Sequence, residues 1–195
     1  MTKVILVSNQ KGGVGKSTMT FNLAVNLHQT AKICIVDMDY QGSIISSRKF
    51  DGIPVYSADK LKEVLEQDYQ FVFIDTPPYL ADYLPELCKR ADVIIIPTKA
   101  GVYDILAIQP TIGIIKEAKA ENKALIFFNM VKPNTSLTSD IKTQLEKYGI
   151  KTAKTMISDL VAFGRSPLLK GVEGNVKAQK QIDSLTKEVL MKILS

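Results

Sequence analysis

Tryptophan is absent from this chain of 195 residues, which also contains only two cysteines and one histidine. Cys34 and Cys88 lack CxxC spacing, so neither a disulfide framework nor a zinc site of cysteine and histidine is expected. Long apolar runs are missing too, since stretches such as residues 93–96 are far shorter than the ~20 residues that cross a bilayer. No small-residue cleavage site follows the first apolar run, as a signal peptide would require. These absences exclude a membrane span and predict a cytoplasmic protein.

The residues that are present are typical of a globular protein, with 46% hydrophobic and 23% charged. A chain of this length buries roughly 70% of the surface that it exposes when unfolded. At roughly 100 to 200 residues per domain, we expect residues 1–195 to form a single domain, without an additional N-terminal DNA-reading domain.

The formal net charge of +5 is unevenly distributed along the chain. Residues 1–141 contain 15 basic and 15 acidic residues, whereas residues 142–195 contain 10 basic and 5 acidic residues. The entire excess therefore lies in the last quarter. Two interpretations fit it: an ordinary solvated basic face, or a surface that binds polyanions.

Short β-branched runs alternate with longer amphipathic segments. The predicted strands are residues 4–8, 33–36, 71–74, 93–97 and 125–129. The predicted helices are residues 17–29, 57–66, 79–89, 102–120, 136–148 and 175–194, and Pro110 is expected to kink or shorten the fourth. Short connections between strands and helices favour right-handed crossovers. The predicted fold class is α/β, a three-layer sandwich around a mostly parallel, twisted sheet.

A phosphate-binding loop follows the first predicted strand and leads directly into a helix. Its sequence is Asn9-Gln10-Lys11-Gly12-Gly13-Val14-Gly15-Lys16-Ser17-Thr18. Glycines let backbone N–H groups converge on phosphate oxygens, and the helix N-terminus adds partial positive charge. In such loops the lysine after the last glycine reaches the β- and γ-phosphates, and the next hydroxyl binds Mg²⁺. The pattern assigns these roles to Lys16 and Ser17, and places ATP on residues 11–18.

The loop has Gln10 where the usual pattern has its first glycine, and an additional lysine, Lys11, follows. In this it resembles the deviant Walker A motif of the ParA/MinD family of P-loop ATPases. The resemblance implies that Lys11 crosses a dimer interface to the phosphates held by the partner subunit, and that ATP drives formation of a homodimer. A second cation there stabilises charge that develops during phosphoryl transfer, as an arginine finger does.

Two acidic motifs at predicted strand ends extend the resemblance. Asp37-Met38-Asp39-Tyr40-Gln41-Gly42 is similar to the family's DxDPQG motif, with tyrosine in place of proline. By resemblance, Asp39 orients the attacking water and Asp37 supports the water shell of Mg²⁺. Asp75-Thr76-Pro77-Pro78 ends an apolar strand and is similar to the family's Walker B pattern, which implies that Asp75 binds Mg²⁺ through water. Asn129 matches an asparagine that contacts adenine in relatives, although a polar strand end explains it equally well.

The resemblance implies a partition ATPase of the ParA type, with weak intrinsic ATPase activity. A centromere-binding partner of the ParB type would stimulate hydrolysis, and the ATP dimer would bind nonspecific DNA on the nucleoid to segregate or position plasmid or other cargo. The basic last quarter favours this interpretation, because its side chains can neutralise phosphates without reading bases. The candidate DNA-binding residues are Arg165, Lys170, Lys177, Lys180 and Lys187.

Two alternatives belong to other functional classes. A MinD-like membrane-associated ATPase would use the C-terminal segment as an amphipathic anchor, but this segment lacks an exposed aromatic residue and a dense basic face. We therefore expect a final helix packed on the core, without membrane binding. A small-molecule or redox enzyme, such as a relative of dethiobiotin synthetase or the nitrogenase iron protein, is the third class. Cys34 and Cys88 fall in a predicted strand and helix, which favours core positions over cluster ligands.

Overall fold

A computed structural model describes residues 1–39, 52–79, 81–132 and 139–195. The strands are β1 Lys3–Val7, β2 Ile33–Asp37, β3 Val55–Ser57, β4 Phe71–Asp75, β5 Val93–Thr98, β6 Ala124–Phe128 and β7 Lys151–Thr152. The helices are α1 Lys16–His28, α2 Leu61–Leu65, α3 Leu84–Arg90, α4 Val102–Ala107, α5 Gln109–Glu117, α6 Ser139–Glu146, α7 Val161–Leu169 and α8 Val176–Ile193. Short 3-10 turns cover Ala58–Lys60 and Glu121–Lys123.

The strands form one sheet in the order β3-β2-β4-β1-β5-β6-β7, and each of these pairings is parallel. β1 lies at the centre, with Val7 opposite Asp75 on one side and Ile95 on the other. All strands therefore run in one direction, and their carboxyl ends share one edge of the sheet. Ligands of open parallel sheets bind at this edge.

Alternate residues of the central strands supply two separate cores. Leu6 packs in a cluster with side chains of α2 to α6, while Ile5 packs in a cluster with side chains of α1, α7 and α8. Because neighbouring residues of a strand point to opposite faces, a strand covered on both sides is apolar throughout, as β1 is from Val4 to Val7. The α/β three-layer sandwich predicted from the sequence is confirmed.

The predicted helices are present with changed bounds. The segment predicted as one helix at 102–120 is divided, because α4 ends at Ala107 and α5 begins at Gln109 with Pro110 in its first turn. The helix predicted from residue 79 begins only at Leu84, with Pro85 in its first turn. β3, β7 and α7 were not predicted, because two are very short and α7 contains Pro167.

The last helix is part of the core, as expected. Ala178, Ile182, Leu185 and Val189 of α8 are buried against the sheet. The Asn175 side chain caps the helix by accepting a hydrogen bond of 3.0 Å from the Ala178 N–H. In the part of the chain that the structure describes, no helix has the length and apolar character needed to cross a membrane.

Candidate active site

The glycine-rich loop connects the end of β1 to the start of α1 at the carboxyl edge of the sheet. Gly13 and Gly15 have φ values of 69° and 89°, in the left-handed region that glycine adopts without steric cost. Gly15 is the residue before α1, and no side chain caps the helix there. The first N–H groups of α1 are thus available to an anion, as in other helix N-terminal phosphate sites.

Hydrogen bonds within the loop and to neighbouring elements hold its beginning. The buried Asn9 side chain donates to the Pro97 carbonyl of β5 at 2.8 Å and accepts from the Lys11 N–H at 2.9 Å. The Gln10 N–H donates to the Thr111 hydroxyl of α5 at 3.2 Å. Sequence reasoning assigned no role to Asn9 or Thr111. The loop is therefore shaped before any ligand binds.

Lys16 begins α1, and its side chain turns back under the loop. The residue is only 7% exposed, and its Nζ donates to the Lys11 carbonyl at 3.4 Å. Burial lowers the pKa of Lys16, while the charges of Asp75 and Asp39 oppose this shift. A phosphate group beside the Lys16 ammonium would give this buried cation an anionic partner and so stabilise its charged form.

Ser17 and Asp75 meet where α1 approaches the end of β4. The Ser17 hydroxyl donates to Oδ2 of Asp75 at 2.5 Å, and the Thr20 hydroxyl donates to Oδ1 at 3.1 Å. Burial raises the pKa of Asp75 to about 7, and Asp37 adds to the shift, although the two hydroxyl donors act against it. The negative charge of the buried Asp75 carboxylate is therefore not fully balanced by the groups around it. Carboxylate and hydroxyl oxygens are the ligands that Mg²⁺ prefers, so the site has suitable donor chemistry for this ion.

Asp37 and Asp39 follow β2 beside this pair. Asp37 is opposite Asp75 in the parallel register, and its Oδ1 accepts a hydrogen bond of 3.0 Å from the Asp39 N–H. Asp37 is buried, whereas Asp39 is half-buried at the mouth of the site. The predicted assembly of Asp37, Asp39 and Asp75 at one edge of the sheet is thus present, while Tyr40, Gln41 and Gly42 lie outside the described residues.

The additional lysine of the loop is paired within its own chain. Nζ of Lys11 lies 2.7 Å from Oδ1 of Asp104 on α4, and the two side chains are 34% and 15% exposed. Exposed apolar side chains surround this acidic residue on the same helix, namely Val102, Tyr103 and Leu106. Sequence reasoning did not identify Asp104, because nothing local marks a residue that pairs across 93 positions of chain.

Asn129 lies directly after β6 and against the loop. Its Nδ2 donates to the Val14 carbonyl at 2.8 Å, and it lines a cavity of about 410 Å³ beside the start of α1. Thr18, Met130 and side chains between residues 158 and 165 also line this cavity, whose volume is in the range of small-molecule sites.

The predicted DNA-binding residues lie on α7, directly after α7 and on α8, outside the phosphate loop. Lys177, Lys180 and Lys187 are exposed and share one face of α8 with Ser184, since they are spaced at helical intervals. This face, the α8 lysine stripe, lies opposite the buried side chains of the helix. Arg165 lines the cavity beside Asn129, and Lys170 ends α7 in a left-handed conformation.

Comparisons with known proteins agree with this geometry. The family profile of the CobQ/CobB/MinD/ParA nucleotide binding domain matches residues 5–170. The maintenance of carboxysome distribution protein A of Halothiobacillus neapolitanus is 28% identical over 183 residues, which cover 86% of this chain and 84% of that protein. The chromosome-partitioning ATPase Soj of Thermus thermophilus is 26% identical over 208 residues, with 84% of each chain covered.

A solved structure shares the fold. The septum site-determining protein MinD of Pyrococcus horikoshii, complexed with Mg-ADP, has a TM-score of 0.71 and 18% sequence identity. The match covers 97% of this chain and 96% of the MinD chain. The sheet and its helices are therefore common to both proteins.

Proposed function

The chain belongs to the CobQ/CobB/MinD/ParA nucleotide-binding domain family, and from this premise we propose that it is a ParA-type partition ATPase. In this proposal, ATP binding drives formation of a homodimer that binds nonspecific DNA on the nucleoid. A centromere-binding partner stimulates hydrolysis, and the cycle segregates or positions cargo. The observation that supports the DNA-binding part is the α8 lysine stripe on a nucleotide-binding fold.

The phosphate loop supports binding of ATP through residues 11–18. The left-handed Gly13 and Gly15 let consecutive N–H groups face an anion, and the uncapped start of α1 contributes its partial charge. Lys16 is already buried and directed along the loop, so little reorganisation accompanies binding. The cavity lined by Thr18 and Asn129 adjoins the loop, which supports the proposal that the nucleoside binds there.

Ser17, Asp37 and Asp75 are the residues that would hold Mg²⁺. When bound, Mg²⁺ would neutralise charge on the β- and γ-phosphates. Ser17 contributes a hydroxyl oxygen, and the two buried carboxylates lie opposite each other on β2 and β4. Thr20 fixes the orientation of the Asp75 carboxylate through its own hydrogen bond of 3.1 Å.

Asp39 and Lys11 are the proposed hydrolytic residues. The Asp39 carboxylate is held at the mouth of the site by its backbone contact to Asp37, which suits a group that orients water. Lys11 would stabilise charge on the phosphates of the partner subunit. Because its ammonium pairs with Asp104 in the single chain, dimer formation must exchange this ion pair for phosphate contacts.

The α8 lysine stripe is proposed to contact DNA phosphates. Lys177 and Lys187 are ten residues apart, which corresponds to about 15 Å along the helix axis. Double-stranded DNA carries about one negative charge per 1.7 Å, so several phosphates lie within reach of the stripe. A dimer presents two stripes, and this doubling makes DNA binding depend on ATP.

The proposal is tested by measuring binding to a nonspecific duplex and to anionic liposomes with ATP, ADP and no nucleotide, across a salt series. We expect ATP-dependent, salt-sensitive binding to DNA and no binding to liposomes. A triple variant, Lys177→Gln, Lys180→Gln and Lys187→Gln, should lose DNA binding but retain ATP binding.

A matched triple variant on the opposite face of the sheet controls for net charge. Lys62→Gln, Lys89→Gln and Lys116→Gln remove the same charge from α2, α3 and α5. This variant should bind DNA more tightly than the stripe variant. ATP-dependent liposome binding without DNA binding would instead favour the MinD-like alternative.

A further inference from the structure

Asn129 is hydrogen-bonded to groups of its own chain through its backbone N–H and through both polar atoms of its side chain. The residue is 2% exposed, and its backbone N–H donates to the Thr98 carbonyl at 2.7 Å. Its side-chain Nδ2 donates to the Val14 carbonyl at 2.8 Å, while Oδ1 accepts from the Met130 N–H at 3.0 Å. The Val14 carbonyl can only accept a hydrogen bond and the Met130 N–H can only donate one. A single orientation of the Asn129 side-chain amide therefore satisfies both.

The contact with Val14 controls the next peptide group of the loop. The Val14 carbonyl and the Gly15 N–H belong to one planar peptide unit and point in opposite directions. A carbonyl that is fixed toward β6 therefore turns the Gly15 N–H away from β6. The φ of 89° at Gly15 shows that this peptide holds a conformation that only glycine adopts readily.

Steric contact reinforces this arrangement. A Cβ atom at Gly15 would collide with Nδ2 of Asn129 and would lie 3.3 Å from Cε of Met130. Met130 itself has a φ of 54°, which is unusual for a residue other than glycine. The hydrogen bond from its N–H to the Asn129 side chain helps to maintain that conformation. The junction after β6 is thus shaped to press the amide of Asn129 against the loop.

We propose that Asn129 is a positioning residue of the phosphate loop, which sets the Val14–Gly15 peptide so that the Gly15 N–H is available to a phosphate oxygen. Asn129 therefore strengthens the binding of the phosphates, by holding the loop in the conformation that binds them. In this proposal, the adenine contact that the sequence resemblance left open is secondary to the effect on the phosphates. The inference deepens the proposed function and rests on the binding of a nucleotide at this loop.

The test compares Asn129→Ala with the wild-type chain, using ATP and inorganic tripolyphosphate, each with Mg²⁺, in a displacement assay. Tripolyphosphate has no base, so a residue that acts only on adenine cannot affect its binding. We expect both ligands to bind about tenfold more weakly, because the buried Val14 carbonyl loses its donor. Unchanged binding of tripolyphosphate would overturn the proposal.

Two further variants separate this effect from a loss of folding. Asn129→Asp retains the acceptor for Met130 but places an oxygen against the Val14 carbonyl, so it should weaken both ligands at least as much. Asn26→Ala removes another asparagine of the α1 packing, which bonds to Thr186 and Gln179, and should leave both affinities unchanged. Equal losses in Asn129→Asp and Asn26→Ala would contradict the proposal.

A measurement without nucleotide distinguishes this proposal from the proposed function. In the NMR spectrum of the nucleotide-free chain, Asn129→Ala should shift or broaden the amide signal of Gly15. The signals of Gly113 on α5 and Gly174 just before α8, which lie outside the loop and β6, should remain in place. A wild-type chain that failed to bind ATP would contradict the proposed function while leaving this result intact, and an unchanged Gly15 signal would overturn the positioning role.

Discussion

Lysine side chains are used in opposite ways at the phosphate loop and on the outer face of α8. At the loop, Lys16 is 7% exposed and Lys11 is held by Asp104 at 2.7 Å. On α8, the lysines of the stripe extend into solvent from a helix whose other face is buried. A cation that is buried, or held by an ion pair, contributes through its position, whereas an exposed, unpaired cation contributes mainly through its charge. Substitutions should therefore be severe at the loop and mild, but cumulative, on α8.

The largest effect is expected for Lys11→Ala. If Lys11 reaches the phosphates of a partner subunit, its loss should reduce ATP turnover by about 10³-fold, as for removal of an arginine finger, while the monomer still binds ATP. Turnover assays and analytical ultracentrifugation with ATP measure the two properties. Wild-type turnover in this variant would contradict the expectation that loop lysines are more sensitive to substitution than α8 lysines.

The partner of this lysine provides the control. Asp104→Asn should free Lys11 without removing it, so the ATP dimer should be favoured rather than lost. The gain should not exceed about fivefold, because partly exposed ion pairs contribute at most ~1 kcal/mol.

Asp39→Ala should reduce hydrolysis by about 10² to 10³-fold, since positioned acid–base groups contribute factors of this size. ATP binding should persist, so that an ATP-bound dimer accumulates. Asp68→Ala, at a fully exposed carboxylate near the opposite edge of the sheet, is the matched control and should hydrolyse ATP normally. Normal hydrolysis in Asp39→Ala would refute the water-orienting role.

Asp75→Asn should stabilise the nucleotide-free chain at the expense of its activity. Because burial raises the pKa of Asp75 to about 7, the wild-type chain loses stability as the pH rises from about 4 through 7. The neutral amide should remove this loss and raise the free energy of unfolding by up to about 4 kcal/mol at pH 8, with little change at pH 4. Urea denaturation at the two pH values measures the difference, and an equal effect at both would exclude this cause.

The smallest effects are expected for single substitutions on the α8 lysine stripe. We expect the plot of log affinity for DNA against log salt to become less steep, by about 0.9, in each of Lys177→Gln, Lys180→Gln and Lys187→Gln. ATP turnover without DNA should not change. Fluorescence anisotropy across a salt series measures these slopes. If a single substitution abolished DNA binding, the contribution of the α8 lysines would depend on one residue, as at the loop, and would not be cumulative.

The sequence predicts the central part of this molecule well, because there the local signals and the fold agree. Five apolar runs become the strands β1, β2, β4, β5 and β6, and the acidic residues at their ends meet as expected from a parallel sheet. The edge strands β3 and β7 have three and two residues, too few to show a period. These residues form strands because β2 and β6 offer them backbone partners, which the local sequence does not show.

The contacts that shape the candidate site are less predictable. Asp104 meets Lys11 and Asn129 meets Val14 only because separate strands bring distant segments to one edge of the sheet. Thr20 looks like any other residue of α1, although its hydroxyl orients Asp75. A motif identifies which residues touch a ligand, but the residues that hold the motif in place are identified by the fold.

The central position of β1 has a consequence for the order of folding. The partners of β1 lie far along the chain, since Lys3 is opposite Phe71 of β4 and Ile5 is opposite Val93 of β5. Contacts of such sequence separation form slowly, because a long loop must close before they stabilise the chain. The apolar Val4–Val7 segment is therefore unpaired early in folding, until β4 and β5 pack beside it. Nucleotide cannot assist these early steps, since its loop takes shape only after both partners of β1 have arrived.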